Sequence, residues 1–372
     1  MTDATPSDDD FMAAALALGR RNLGRTAPNP AVGALVVRDG TIVARGWTGV
    51  GGRPHAETLA LEAAGDLASG VTLYVTLEPC SHHGATPPCV DAIISSGIAR
   101  VVSAMEDPDP RVAGRGHALL REAGIEVVIG PGAAFARRDH LGHVLRATLE
   151  RPMVTLKLAQ TPDGFAAGAA HDARLRITGP VADAYTHVQR ALHDAIMIGA
   201  GTAREDDPLM TVRLPGVDNV KPLRVVLDER LSVSPGSRLA ATARETPTLV
   251  IAAASVSDAA ARVFQEATGV EVARVGMDLL GRVDLDAALG LLARRGVTRV
   301  FCEGGPRLAE SLIASALADE VIIHTGPKPF GGAGRPALRP AARALLEEAS
   351  IYRVAERAEL GADKMTRYER VD

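Results

Sequence analysis

Apolar positions along the chain follow two alternating patterns. Short runs of β-branched and aliphatic residues alternate with longer stretches of helical period, and glycines and prolines separate them. Asp8 to Asp10 predict the start of a helix running through Leu18, with acidic side chains at its positive end. Ala34–Val37 and Ile42–Arg45 read as strands joined by Arg38-Asp39-Gly40, where Asp-Gly is a hairpin signal. A helix is predicted over His55–Ala64, ending at Gly65. There follow a strand (Val71–Thr76), a helix (Pro88–Ser96, stopped by Gly97), a strand (Arg100–Ala104), a helix (His117–Ala123) and a strand (Ile125–Ile129). One helical stretch then runs from Ala133 to Leu149. Strands alternating with helices predict an α/β fold with a mostly parallel sheet covered by helices.

Arg151-Pro152 marks a boundary, giving domains over 1–150 and 151–372. Beyond it the alternation restarts. Strands are expected at Val154–Leu158, Ala195–Ile198, Arg224–Leu227, Thr248–Ala252, Arg299–Cys302 and Glu320–Ile323. Helices are expected at Val181–Leu192, Ser257–Ala267, Leu285–Arg295 and Leu308–Ala316. A length of 372 residues agrees with two domains, each able to bury a core. Lys and Arg number 41 against 45 Asp and Glu, so no basic excess points to a nucleic-acid or membrane-surface partner. No run approaches the ~18–20 apolar residues of a membrane span, and the acidic start MTDATPSDDD lacks the positive region of a signal peptide. Three cysteines make a poor disulfide framework, so a reduced, cytoplasmic setting is expected.

In that setting a close cysteine pair suggests metal or catalysis. His55, Cys80 and Cys89 form a three-ligand zinc set, and a catalytic zinc keeps its fourth position for water. Each stands at a helix start or just after a strand, where helix N-termini and the metal both favour the thiolates. Glu57, two residues beyond His55, is placed on the first helical turn to take a proton from that water and return it to a leaving amine. The alternative is a structural zinc closed by His82 or His83, or a pair of buried thiols. It leaves Glu57 and the Pro-Cys contexts unexplained.

His55-Ala56-Glu57 with Pro79-Cys80 and Pro88-Cys89 resembles the cytidine-deaminase-like superfamily. The run Val75-Thr-Leu-Glu-Pro-Cys-Ser-His-His-Gly-Ala-Thr-Pro-Pro-Cys89, with eight residues between the cysteines, is narrower. It resembles the pyrimidine deaminase domain of bifunctional riboflavin-biosynthesis deaminase/reductases, as do Pro28–Gly33 and Glu106–Gly116. That resemblance implies that Asn29 faces the pyrimidine and makes His82 and His83 candidate substrate contacts. A turn asparagine between prolines, and packed or solvated histidines, are the alternatives. Relatives often carry Lys or Arg where this chain has Ala85, so an anion contact must come from elsewhere.

The second half has no G-x-G-x-x-G after a strand. It has Val300-Phe-Cys-Glu-Gly-Gly-Pro306 leading into a helix, a backbone N–H cradle for an anion, or else a plain turn; Cys302 reads as a small buried strand residue. Lys157-Leu158-Ala159, Asp163-Gly164, Ile177-Thr178, Gly199–Thr202, Asp206–Arg213 and Glu303–Pro306 occur in the order found in the reductase domain of the same family. The resemblance implies a dihydrofolate-reductase-like fold using NADPH. Carried over, Ala159, Thr202, Asp206, Gly304, Gly305 and Pro306 contact the cofactor, and Lys157, Arg190, Met210, Arg213 and Glu303 line the phosphoribosyl substrate. Where relatives have Ser-x-Trp, this chain has Arg174 and Arg176. Arg174 is then expected on the substrate and Arg176 on an NADPH phosphate.

The resemblance therefore implies a cytidine-deaminase-like α/β/α domain followed by a reductase domain, with Zn2+ and NADPH as cofactors. The first deaminates 2,5-diamino-6-(5-phosphoribosylamino)pyrimidin-4-one and the second reduces the ribosyl group to ribityl. A small-molecule partner, no nucleic acid or membrane, and a homo-oligomer are expected. The rival reading is a nucleoside or tRNA deaminase whose second domain only binds a nucleotide.

Overall fold

A computed structural model describes residues 6–84, 87–110, 112–168 and 175–371. The chain forms two compact units, Met1–Arg151 and Pro152–Asp372.

The first unit contains α1 (Asp8–Gly19), β1 (Gly33–Arg38), β2 (Thr41–Trp47), α2 (Ala56–Ala64), β3 (Thr72–Val75), α3 (Cys89–Ser95), β4 (Arg100–Ser103), α4 (Arg115–Glu122), β5 (Glu126–Ile129), α5 (Ala133–Asp139) and α6 (Leu141–Leu149). Its five-stranded sheet has the order β2-β1-β3-β4-β5. The sheet is mixed: β1 pairs antiparallel with both β2 and β3, and only the β3–β4 and β4–β5 pairs are parallel. Asp39 and Gly40 take positive φ in the hairpin, as the Asp-Gly signal predicts. The first helix is capped by Ser7. Its hydroxyl accepts from Asp10 N and the Asp10 carboxylate accepts from Ser7 N, so the acidic run supplies the reciprocal half of a capping box. Asp8 turns inward, accepting a bidentate pair of bonds from Arg100 and one from the Tyr74 hydroxyl, which ties α1 to β3 and β4. The continuous helix expected over 133–149 is broken at His140. That ring is buried and meets Thr76 Oγ1 at 3.2 Å, which fixes the break against the sheet.

The second unit contains β6 (Met153–Gln160), β7 (Phe165–Ala167), α7 (Pro180–Ala191), β8 (Ala195–Gly199), α8 (Ala200–Asp206), β9 (Leu223–Leu227), α9 (Arg238–Ala241), β10 (Thr248–Ala253), α10 (Asp258–Thr268), β11 (Glu271–Val275), α11 (Leu285–Arg294), β12 (Arg299–Cys302), α12 (Pro306–Ala314), β13 (Glu320–Thr325), β14 (Arg335–Pro336), α13 (Pro340–Glu347), β15 (Tyr352–Leu360) and β16 (Asp363–Arg370). Nine strands form one sheet in the order β11-β10-β9-β8-β12-β6-β13-β16-β15. All its pairs are parallel except those of β16, which runs antiparallel to β13 and β15. β7 and β14 make a separate two-stranded piece.

The two faces of this sheet differ. Val154, Leu156 and Leu158 alternate along β6 with Thr155, Lys157 and Ala159. The aliphatic set packs with residues of α11, α12 and α13 into the main core of the unit. The opposite face carries Lys157, Glu320 and His324 under α7, whose Tyr185 ring lies 5.7 Å edge-on to His324 and whose hydroxyl accepts from Arg367. Polar side chains are thus collected on one face, Glu320 at the amino end of β13 and Lys157 and His324 toward the carboxyl ends of β6 and β13, where ligands bind in open α/β sheets.

The contact of α1 on β1 depends on Gly33. A Cβ there would stand 1.9 Å from Ala15 O and 2.7 Å from Gly19 N. Gly33→Ala is expected to destabilise the first unit by about 1–3 kcal/mol or more. Urea unfolding checks this: the transition of the first unit should move to lower urea while that of the second stays in place.

Candidate active sites

His55 is the N-cap of α2, and Cys89 opens α3. Cys80 lies beyond the end of β3, after Leu77 has gone into the core. The three donor atoms converge. His55 Nδ1 is 3.3 Å from Cys89 Sγ and 3.7 Å from Cys80 Sγ, and Cys89 N donates to Cys80 Sγ at 3.3 Å. All three lie within 4.8 Å of one another, the spacing of atoms that share one cation. Of the two thiols, Cys80 is the one poised as thiolate. The hydrogen bond from the Cys89 thiol pulls it down to about 4, while that bond and burial push Cys89 up. The His55 ring is raised by its bond with Cys80. A soft, negatively charged donor set of one imidazole and two sulfurs fits zinc.

Glu57, on the first turn of α2, is buried at 4% exposure. Burial raises its carboxyl, and the charge on Cys80 raises it further. Asn29 donates through Nδ2 to Gly52 O at 2.9 Å, which turns its amide toward the segment that leads into His55 and leaves Oδ1 and a second N–H to meet a ring edge. His82 and His83 are exposed on the connection between the cysteines, and Ala85 lies outside the described residues.

Sequence reasoning quoted Glu78 within a motif but gave it no role. It is buried, and its carboxylate accepts from four backbone N–H groups: Asp107, Gly114, Gly116 and His117, at 2.8–3.3 Å; the His117 ring also stands near it, Nδ1 3.8 Å from Oε2, with burial lowering that imidazole. Those donors belong to Glu106–Gly116, the other segment that carried the resemblance, and to the start of α4. Gly116 completes the joint, because a Cβ there would stand 2.1 Å from Pro79 O. The adjacent Pro79-Cys80 is thereby held against this loop.

In the second unit, Arg190 of α7 makes a bidentate pair with Glu303, Nε–Oε1 2.6 Å and Nη2–Oε2 2.9 Å, and donates to Thr211 O at 2.9 Å. Burial alone would raise Glu303, but Arg190 more than offsets it and holds the carboxyl below its usual range. Lys157 faces the same pair, with burial lowering its ammonium and Glu303 opposing that shift. Met210 is buried with φ 49°, and Arg213 three residues later is exposed, its Nη1 on Thr211 Oγ1 and its N–H on His187 Nδ1. The loop is also held from inside by Arg224, a fully buried cation missed as a site feature. It donates to Leu209 O, Thr242 Oγ1, Leu239 O and Thr246 O.

Thr202 and Gly305, two of the residues expected at the cofactor, come together between β8–α8 and β12–α12. Gly305 N donates to Thr202 Oγ1 at 3.1 Å, and Pro306 occupies the first turn of α12. Open space lies over Gly199 and Gly201, where a Cβ would meet nothing within 4 Å. An uncovered glycine edge beside two helix starts fits a dinucleotide phosphate. Asp206 ends α8, and Ala159 lies on β6 beside Lys157. Arg176 is exposed and sits 3.6 Å from Asp183, pointing along α7; Arg174 lies outside the described residues. Cys302 is buried in β12, as expected for a small strand residue.

Two family models match the chain. Residues 5–105 match the cytidine and deoxycytidylate deaminase zinc-binding region, and residues 152–360 match the RibD C-terminal domain. The riboflavin biosynthesis protein RibD of Aquifex aeolicus is 39% identical over 324 residues, covering 87% of this chain and 88% of that protein. The Escherichia coli protein of the same name is 38% identical over 339 residues, covering 88% and 90%. Among solved structures, Acinetobacter baumannii RibD is similar at TM-score 0.85 and 30% identity, covering 98% of this chain and 99% of that one. A Thermotoga maritima diaminohydroxyphosphoribosylaminopyrimidine deaminase/5-amino-6-(5-phosphoribosylamino)uracil reductase is similar at TM-score 0.82 and 32% identity, with the same coverage.

The donor geometry predicts the behaviour of a variant. Cys89→Ser is expected to lose stoichiometric zinc at neutral pH while Cys302→Ser keeps it, and metal analysis after gel filtration reads the difference. Zinc uptake by the wild type is expected to release protons, since the Cys89 thiol must ionise to bind.

Proposed function

The chain belongs to the RibD family of riboflavin-biosynthesis proteins, and we propose that each of its units carries out one of the family's two reactions with the residues described above. The protein is a bifunctional deaminase and reductase, with zinc serving the first reaction and NADPH the second.

In the first unit His55, Cys80 and Cys89 would hold the zinc. When bound, zinc supplies the Lewis acidity that lets water act as a nucleophile at neutral pH. Glu57 does the proton work. Its buried carboxylate takes a proton from the water that adds to the ring carbon bearing the 2-amino group, then delivers it to the departing nitrogen, and ammonia leaves. Burial raises its carboxyl, which favours uptake of the proton it must carry. Asn29 holds the pyrimidine edge. The Glu78 joint keeps the Pro79-Cys80 turn and the loop over 106–116 in one arrangement. The observation that carries this reading is the convergence of one imidazole and two sulfurs beside a buried carboxyl.

In the second unit the Gly305–Thr202 contact and the starts of α8 and α12 would seat the dinucleotide, with Ala159, Asp206, Gly304 and Pro306 at its edges. Bound NADPH supplies a hydride for the sugar C1. Arg213 grips the substrate phosphate, and Met210 walls the pocket. Lys157, beside the Arg190–Glu303 pair, donates a hydrogen bond to the sugar oxygens. Arg190 holds Glu303 and the Thr211 carbonyl, so alignment dominates here. We place Arg176 at the cofactor side and Arg174 at the substrate side, and His82 at the rim of the deaminase pocket.

The partner is a small phosphoribosyl pyrimidine. No helix among the described residues is long and apolar enough to cross a membrane. A cytoplasmic homo-oligomer fits the open edges that β11 and β15 leave on the nine-stranded sheet.

Glu57→Gln is expected to keep zinc and lower ammonia release about 10²–10⁴-fold, checked with the diaminopyrimidine phosphate as substrate. A chelator should stop ammonia release and spare NADPH oxidation with pre-deaminated substrate. Activity of the wild type on cytidine or tRNA instead would support the rival reading. Arg213→Ala should raise the reductase KM about tenfold or more with kcat little changed, read by NADPH absorbance.

A further inference from the structure

We propose that Arg53 is the phosphate-binding residue of the deaminase pocket. The inference rests on the substrate assigned above, whose phosphate lies at the far end of the molecule from the reacting carbon. A dianion at a pocket rim needs a cation, and a guanidinium meets phosphate with two parallel bonds.

The connection that carries the chain from Cys80 to Cys89 contains no Lys or Arg between the two ligands. Its ionisable side chains are His82 and His83, both exposed. A cation is brought beside this connection by the segment that leads into His55. Arg53 is half-buried, two residues before the ligand His55, and its Nη2 stands 3.4 Å from where a Cβ on Gly84 would be. It is also near enough to His55 to act electrostatically on that ring.

The backbone is shaped to deliver it there. Gly51 and Gly52 both take positive φ, 78° and 85°, and Gly49 N closes the turn on Pro54 O at 2.9 Å. Asn29 Nδ2 donates to Gly52 O. One short segment therefore passes the pyrimidine-facing amide at Gly52, the guanidinium at Arg53 and the metal ligand at His55. Those are the three parts a phosphoribosyl pyrimidine requires, in one stretch of chain.

The test compares the full-length, zinc-loaded wild type with Arg53→Gln and Arg53→Lys. Ammonia release is measured with the phosphoribosyl substrate and with its dephosphorylated riboside. Arg53→Gln is expected to raise KM for the phosphorylated substrate about ten- to hundredfold, with kcat little changed and the riboside unaffected; Arg53→Lys should recover part of the loss. An unchanged KM, an equal loss on both substrates, or a fall in zinc content would overturn the proposal, the last two marking a structural brace. A second readout does not need turnover. Cobalt-loaded protein is titrated with ribose 5-phosphate, followed by the cobalt visible absorption. Arg53→Gln should weaken that response by a similar factor, and equal responses would reject the assignment. A wild type that binds ribose 5-phosphate through Arg53 yet releases no ammonia would remove the substrate assignment while leaving the anion site standing.

Discussion

A buried carboxylate must find its stabilisation in hydrogen-bond donors, and Glu78 takes four of them from the main chain, with the His117 ring 3.8 Å away. Everything in the first unit that bears on chemistry is positioned relative to that joint. Two residues after Glu78 comes the thiol most ready to ionise, and the donors come from the loop after β4 and the start of α4. Two parallel strands, β3 and β4, thus have their carboxyl ends tied together by a side chain as well as by the sheet. The joint tolerates little freedom, since Gly116 sits against Pro79 O with no room for a methyl group. The metal-binding turn is therefore set before any metal arrives, and the cost of gathering three donors is met during folding.

The second unit solves a related problem with the opposite charge arrangement. Here a cation from a helix meets a carboxylate at the end of a strand, in the Arg190–Glu303 pair, and each compensates the other's loss of water. The spare donor of Arg190 goes to Thr211 O, so the ion pair also fixes the loop that bears Arg213. Thr202 Oγ1 accepts from Gly305 N, joining the starts of α8 and α12. In both units, side chains at the carboxyl edge of a parallel sheet bond first to backbone of neighbouring loops. What remains exposed is already oriented.

Local chemistry was legible in the sequence and distant partnerships were not. His55, Glu57, Cys80 and Cys89 are read from spacing and residue type alone, because a metal ligand set has few alternatives. Glu78 could not be read, since its donors lie 29 to 39 residues away. Arg53 was invisible for the same reason, and Arg224 looked like the polar start of a strand when it is a fully buried cation. Among elements, the buried strands were found because they are aliphatic throughout. β15 was missed because its residues are mostly exposed and charged, and β11 because only Val275 among its five residues is buried. β16, the partner of β15, follows a two-residue turn that the charged pattern concealed. The run over 133–149 was read as one helix because its period is helical on both sides of His140; the break comes from a tertiary bond to Thr76.

Arg224 has a consequence for how the second unit comes apart. Its guanidinium is shared among oxygens from four places: the loop at Leu209, α9 at Leu239, and the following turn at Thr242 and Thr246. None of these segments can detach alone without stranding a dry positive charge, so opening any one of them draws the others with it. Amide exchange across 209, 239, 242 and 246 should then be governed by one shared opening event, and the loop that bears Met210 and Arg213 inherits the rigidity of the sheet beneath it.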